Sequence, residues 1–199
     1  MSGHLIEWGV ASRALAGETE SGDRCLVKPM ENGALLATAD GLGHGTEAAL
    51  AADLAIRMVE AQARRPLVEI VEACHRALLR TRGAALSLAQ WNADRREVTW
   101  VGVGNVEVLL LVAGSGGRPD RERLVLRPGV VGDRLPALQA SSVSVPRQGL
   151  LVFATDGIGG GFDQALEPGA APQPQADNIL ARHSRGADDA LVLVARLGR

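Results

Sequence analysis

The alternation of apolar and polar positions changes period along the 199-residue chain. Residues 5–14 (LIEWGVASRA) and 24–30 (RCLVKPM) are short runs that predict strands, and ALLATAD at 34–40 predicts a third. Asn32-Gly33 between the last two predicts a type I′ hairpin turn, whose two central positions both need positive φ. From 46 to 63 the alanine-rich apolar content predicts a buried helix, with Thr46 as its N-cap. Pro66 suits the first position of a second helix, in which Leu67, Ile70, Val71, Cys74 and Leu78 recur at three and four residues as one core stripe. Gly83 is expected to cap it. Beyond Gly83 the period falls to two. ALSLAQW, EVTWVGVG and VEVLLLVAG predict three strands, with 92–94 turning between the first two, and 122–127, 141–146, 149–156 and 188–197 predict four more. Residues 115–121 and 128–136 read as loops. The stretch 163–176 reads as a loop or flap, followed by a short helix at 178–183. Many antiparallel strands with two consecutive helices predict an α+β class, helices packed on the faces of sheets, in one domain spanning 1–199.

Composition narrows the function classes. A formal charge of −2 and a pI near 6.1 give no electrostatic case for nucleic acid or an anionic membrane. Aromatics make up 3% with no tyrosine, which argues against base-stacking platforms. Neither a signal peptide nor a run near the roughly 20 apolar residues of a membrane helix is evident, so a cytoplasmic protein is expected. Cys25 and Cys74 suit core positions and form neither a disulfide framework nor a zinc site. Trp8, Trp91 and Trp100 fall in strand patterns that predict core packing or an exposed edge, and His4, His75 and His183 read as surface residues.

The chemistry lies in the aspartates. Asp40 follows LLATA, Asp156 follows LLVFAT, Asp188-Asp189 precede ALVLV, and Asp23 stands just before a strand. Carboxylates gathered in one cleft repel one another, and each costs several kcal/mol to desolvate unless compensated. Divalent cations compensate them, and oxygen ligands without a Cys or His pattern favour Mg²⁺ or Mn²⁺ over zinc. Gly41 would then lend a carbonyl, with Gly43 and Gly45 turning the backbone beneath it. The bland alternative is that Asp-Gly after a strand marks a turn and nothing more.

ADGLGHGTEAALAA, VGVGNVEV, RPGVVGDRLP, LLVFATDGI and DDALVLV occur in the order found in the metal-dependent protein phosphatases, and nearly the whole chain resembles their SpoIIE-like branch, most closely its short, single-domain RsbX-like members. The resemblance implies an αββα sandwich of two antiparallel sheets flanked by helices. It implies hydrolysis of phosphoserine or phosphothreonine with two ions, Mn²⁺ or Mg²⁺, on phosphorylated scaffold and sensor proteins of the stressosome, resetting stress signalling. By position, Asp40 resembles the acid bridging both metals, Gly41 supplies its carbonyl to the second, and Asp156 and Asp188 match ligands of the first. Asp189 falls where many relatives have Asn and ranks below Asp188, and Asp23 matches an acid near the second metal. The departure is Gly22, where larger relatives often carry an acidic ligand. No counterpart of the eukaryotic phosphate-binding arginine stands out; Arg13 and Arg24 qualify by location alone, and a solvated strand arginine is the favoured reading of each.

His44 could serve as a general acid, but a structural role in its turn is favoured. Substrate choice is expected from the 128–136 and 158–176 segments, and a monomer active without an activator is expected. Two rivals belong to other classes. The glycines could cradle a nucleotide phosphate, although Leu42 stands where that motif needs glycine. Alternatively, the chain is a catalytically inactive, phosphatase-fold binding module.

Overall fold

The computed structural model describes residues 5–114 and 119–198. His4 and part of the 115–121 loop lie outside them. Two five-stranded antiparallel sheets stack face to face. One has the order β1(Ile6–Arg13), β10(Ala190–Leu197), β9(Gly149–Ala154), β6(Glu107–Val112), β7(Asp120–Arg123). The other has the order β2(Asp23–Met30), β3(Gly33–Gly41), β4(Ala84–Asn92), β5(Glu97–Val103), β8(Ser141–Ser144). Helices α1(Thr46–Ala61) and α2(Leu67–Leu78) cover the second sheet, and α3(Pro172–His183) covers the first. The layers are therefore helix, sheet, sheet, helix, the αββα arrangement that the resemblance implies.

Three apolar clusters fill the gaps between these layers. Leu36, Trp91, Trp100, Leu151, Phe153 and Leu193 lie between the sheets. Leu35, Leu88, Val59, Ile70 and Leu78 lie under α1 and α2, and Val152, Val194 and Ile179 under α3. Because both faces of each sheet are covered, the central strands are apolar throughout: GLLVFA in β9 is buried at every position. Trp91 and Trp100 are core residues, whereas Trp8, on edge strand β1, is exposed. Cys74 is buried on the α2 stripe, and burial pushes its thiol up to about 12, so it is an inert core residue.

Several local expectations need correction. Met30 pairs with Gly33, so Glu31 and Asn32 form the hairpin turn, and neither has positive φ. Gly33 answers to a different constraint, since a Cβ there would fall 1.9 Å from the Trp91 carbonyl oxygen. Thr46 is already helical. Gly45, in the left-handed region at φ 74°, precedes it as N-cap without a side-chain bond. Pro66 is likewise the N-cap rather than the first residue of α2, and that helix ends at Leu78, short of Gly83. Leu124–Leu126 leave the sheet after β7. The largest revision is at 163–176. A 3-10 turn spans Phe162–Ala165, and α3 begins at Pro172, six residues before the expected helix. Pro, Gln and Asp concealed it, since only Pro172, Ala176 and Ile179 of α3 are buried.

Candidate metal centre

The acids reach one end of the sandwich from both sheets. In the second sheet, Asp23 and Asp40 face each other as cross-strand partners of β2 and β3. In the first, Asp156 lies two residues beyond the end of β9, and Asp188 and Asp189 immediately precede β10. Strands β9 and β10 are neighbours, with Ala154 opposite Val192. Thr155 joins the two sheets. Its hydroxyl donates to Asp23 Oδ2 at 2.8 Å and accepts from the Leu191 amide at 2.9 Å.

The five carboxylates share one field. Asp23 is 3% exposed, and burial first, then Asp189, Asp156 and Asp188, push its carboxyl up to about 7 against the lowering bond from Thr155. Asp40 is pushed up to about 8 by burial, reinforced by Asp23, Asp156, Asp188 and Asp189. Asp156 is also raised, by burial and then by Asp188, while a bond from Asn105 and the charge of Arg185 oppose the shift. Among the described residues no three His, Cys, Asp or Glu side chains already stand as a ligand cluster. The donor set still fits a hard divalent cation: it is all oxygen, mutually repulsive, and includes the buried Asp23 Oδ1, which has no hydrogen-bond partner.

Asp188 and Asp189 occupy different environments. Asp188 is exposed, and its Oδ1 accepts the Asp189 amide at 2.8 Å. Asp189 is buried and accepts the Leu15 and Gly22 amides at 2.8 and 2.7 Å, clamping the 14–22 segment to β10. A Cβ on Gly22 would lie 2.9 Å from Ala48 Cβ and 3.1 Å from Asp189 Oδ2, so this spot is closely filled without any side chain. Gly41 is constrained more severely, since a Cβ there would fall 2.0 Å from the Ala48 carbonyl oxygen of α1. The turn between β3 and α1 thus packs backbone on backbone, and Gly43 and Gly45 carry it with φ 86° and 74°.

Of the two arginines that qualified by location alone, Arg24 is engaged elsewhere. It pairs with Asp53 at 2.7 Å and donates to the Ser21 and Asp23 carbonyls. Arg13 ends β1 opposite Ala190 and is exposed. His44 Nδ1 lies 2.5 Å from Glu18 Oε1. His75 is not a free surface residue, because its Nδ1 accepts the Gly132 amide at 3.0 Å and ties the 128–136 loop to α2.

Three participants escaped the sequence reading. Asn105 donates to Asp156 Oδ2 at 2.6 Å, and Thr155 bridges the sheets. Arg185 donates its amide to the Gly157 carbonyl at 2.9 Å, and its Nε lies 3.7 Å from where a Gly159 Cβ would be. The only signal in the sequence was proximity: Thr155 adjoins Asp156, and Arg185 precedes Asp188 by three residues.

Residues 31–198 match the family model described as Stage II sporulation protein E (SpoIIE). The phosphoserine phosphatase RsbX of Bacillus subtilis (strain 168) is 33% identical over 94 residues, 47% of this chain and 47% of that protein. The match thus spans about half the length of that relative. A chain solved in work on the bacterial stressosome, as a modular system adapted to control secondary messenger signalling, is 33% identical with a TM-score of 0.86, covering 96% of this chain and 99% of that one. RsbX in complex with magnesium superposes with a TM-score of 0.87 at 22% identity, over 100% of this chain and 98% of that one.

Proposed function

The chain belongs to the SpoIIE family, and from that premise we propose that it is a metal-dependent protein phosphatase acting on phosphoserine or phosphothreonine. The observation that carries this reading is the convergence of carboxylates from both sheets at one end of the sandwich, with Asp23 and Asp40 opposite each other, Thr155 joining Asp23 to the strand that leads to Asp156, and the buried Asp23 Oδ1 without a hydrogen-bond partner. Asp40, Asp156, Asp188 and the Gly41 carbonyl would hold the ions, with Asp23 beside them and Asp189 holding the frame. Two ions, Mn²⁺ or Mg²⁺, supply water activation and charge neutralisation at the phosphate when bound.

The remaining roles fall to the chain itself. Asn105 fixes the rotamer of Asp156 by donating to its Oδ2. Arg185, whose charge already acts on Asp156, offers a guanidinium to phosphate oxygens. Thr155 keeps the two sheets in register at the site. Glu18 holds His44 and with it the 41–45 turn.

The likeness to a chain from work on the stressosome supports phosphorylated scaffold and sensor proteins of such an assembly as substrates. We place the activity in a single domain, monomeric and cytoplasmic. No described helix is long and apolar enough to cross a membrane.

The test is phosphate release from a phosphoserine peptide and from p-nitrophenyl phosphate, with Mn²⁺, with Mg²⁺ and with chelator. Release should depend on the metal and fall roughly 100-fold or more in Asp40→Asn, since several kcal/mol of charge stabilisation are lost. Binding of phosphopeptide without release would instead indicate a module that holds phosphoproteins and does not hydrolyse them.

A further inference from the structure

A groove of about 430 Å³ opens on the side of β9 away from β10, between the segment that follows Asp156 and the end of β7. Val108, Phe162 and Leu124 line it and are 2%, 3% and 8% exposed, with Leu126 partly buried beside them. Gly160 and Gly161 form its exposed rim. Its charged wall is balanced. Glu107 pairs with Arg123 at 2.9 Å, Arg123 with Asp163 at 3.1 Å, and Asp163 with Arg121 at 3.6 Å. Two acids and two arginines leave no net charge, and the same network ties the 3-10 turn to β7, so the groove is preformed.

Chain geometry bounds its distance from the acids. Glu107 is two residues from Asn105, which lies 2.6 Å from Asp156, and Gly160 is four residues from Asp156. At a maximum of about 3.6 Å per residue, those walls stand within roughly 7 Å of Asn105 and roughly 14 Å of Asp156. An extended substrate segment advances about 3.4 Å per residue.

Taking the phosphatase reading as its basis, we infer that this groove receives an uncharged apolar side chain of the phosphoprotein, about two to four residues from the phosphoserine. The volume suits one or two side chains, being near the lower end of the roughly 300–1,000 Å³ of small-ligand pockets. Apolar walls with self-neutralised charge reject an acidic or basic residue, because its desolvation would go uncompensated. Gly160 lies on the rim, its φ is not positive, and a Cβ there meets no atom within 4 Å, so a larger side chain can be placed at the groove mouth without backbone strain.

The experiment uses the full chain with Mn²⁺ and polar phosphoserine peptides carrying one leucine, or one aspartate in its place, at each of the second to fourth positions on either side. Both kcat/KM and affinity, read by fluorescence anisotropy, are measured for wild type and Gly160→Leu, with a thermal melt of each. Leucine should be preferred over aspartate by roughly 10-fold or more at one position or more, the scale of hydrophobic pocket discrimination. Gly160→Leu should reduce that preference to near unity. Equal handling of the two residues at every position, or a preference unchanged in a folded Gly160→Leu, overturns the inference. Failure to release phosphate from any substrate, p-nitrophenyl phosphate included, overturns the phosphatase reading instead. The anisotropy series then still decides whether the groove selects apolar residues.

Discussion

Asn105 acts through one hydrogen bond, 2.6 Å to Asp156 Oδ2. A carboxylate free to rotate binds a cation less well than one already oriented, and loss of such a supporting bond typically costs 10–100-fold in metal affinity. Asn105→Ala should therefore raise the Mn²⁺ concentration for half-maximal phosphate release by about that factor. An unshifted metal titration would show that Asp156 needs no such support. In the sequence, Asn105 follows glycine after a strand and reads as a turn former. The antiparallel pairing of Glu107 with Ala154 carries Asn105 opposite Asp156, and that pairing has no local trace. His44 makes the converse point. Its place in GHG drew attention, yet its partner is Glu18, twenty-six residues away.

At the scale of elements, α3 docks on β1 by close backbone approach. A Cβ on Gly9 would fall 2.3 Å from Gln173 Cα, so glycine is what lets the helix settle. The Gln173 side chain then completes the outer edge of β1, accepting the Val10 amide at 3.0 Å and donating to its carbonyl at 2.9 Å. An edge strand is thus covered rather than left open to pairing. Gly9→Ala forces the helix outward and should destabilise the fold by roughly 1–3 kcal/mol, the usual scale of overpacking. Urea unfolding measures this, and a midpoint equal to wild type would mean that α3 is loosely seated. The α2 stripe was readable because a long amphipathic pattern repeats locally. Helix α3 was not, because its stability comes from the strand beneath it more than from its own apolar content.

At the scale of the molecule, the site belongs to neither sheet alone. Asp23 and Asp40 come from one, Asp156, Asp188 and Asp189 from the other, and Thr155 reaches Asp23 across 132 residues of sequence. Holding like charges there has a pH signature. The native carboxyls of Asp23 and Asp40, near 7 and 8, lie above the roughly 4 of an unfolded aspartate, so between those limits the folded state binds more protons. Their contribution to stability is complete below about pH 4 and is lost as pH rises through 7 and 8. Chelator-treated protein should melt at progressively lower temperature from pH 5 to pH 8, and Asp40→Asn should flatten the trend. A cation at 100 times its Kd adds about 2.7 kcal/mol, which corresponds to roughly 5–10 °C for a chain of this size. Calorimetry across pH, with and without Mn²⁺, checks both effects; a flat chelated series would mean that the acids are solvated and apart.

Local chemistry was sufficient for part of this protein. Period-two and period-3.6 patterns marked the strands and the first two helices, and acids at the ends of apolar strands marked where charge meets the core. Those signals survive in sequence because they depend on neighbours a few residues away. Tertiary structure alone decided that Asp188 is exposed while Asp189 is spent on the Leu15 and Gly22 amides. It also withdrew Arg24 into a pair with Asp53, brought Arg185 and Asn105 to Asp156, and opened a groove beside it. Each of these depends on strand register and sheet stacking between residues 29 to 174 positions apart, or on a partner chosen among many equivalent ones. The chain encodes such choices only through the packing of the whole.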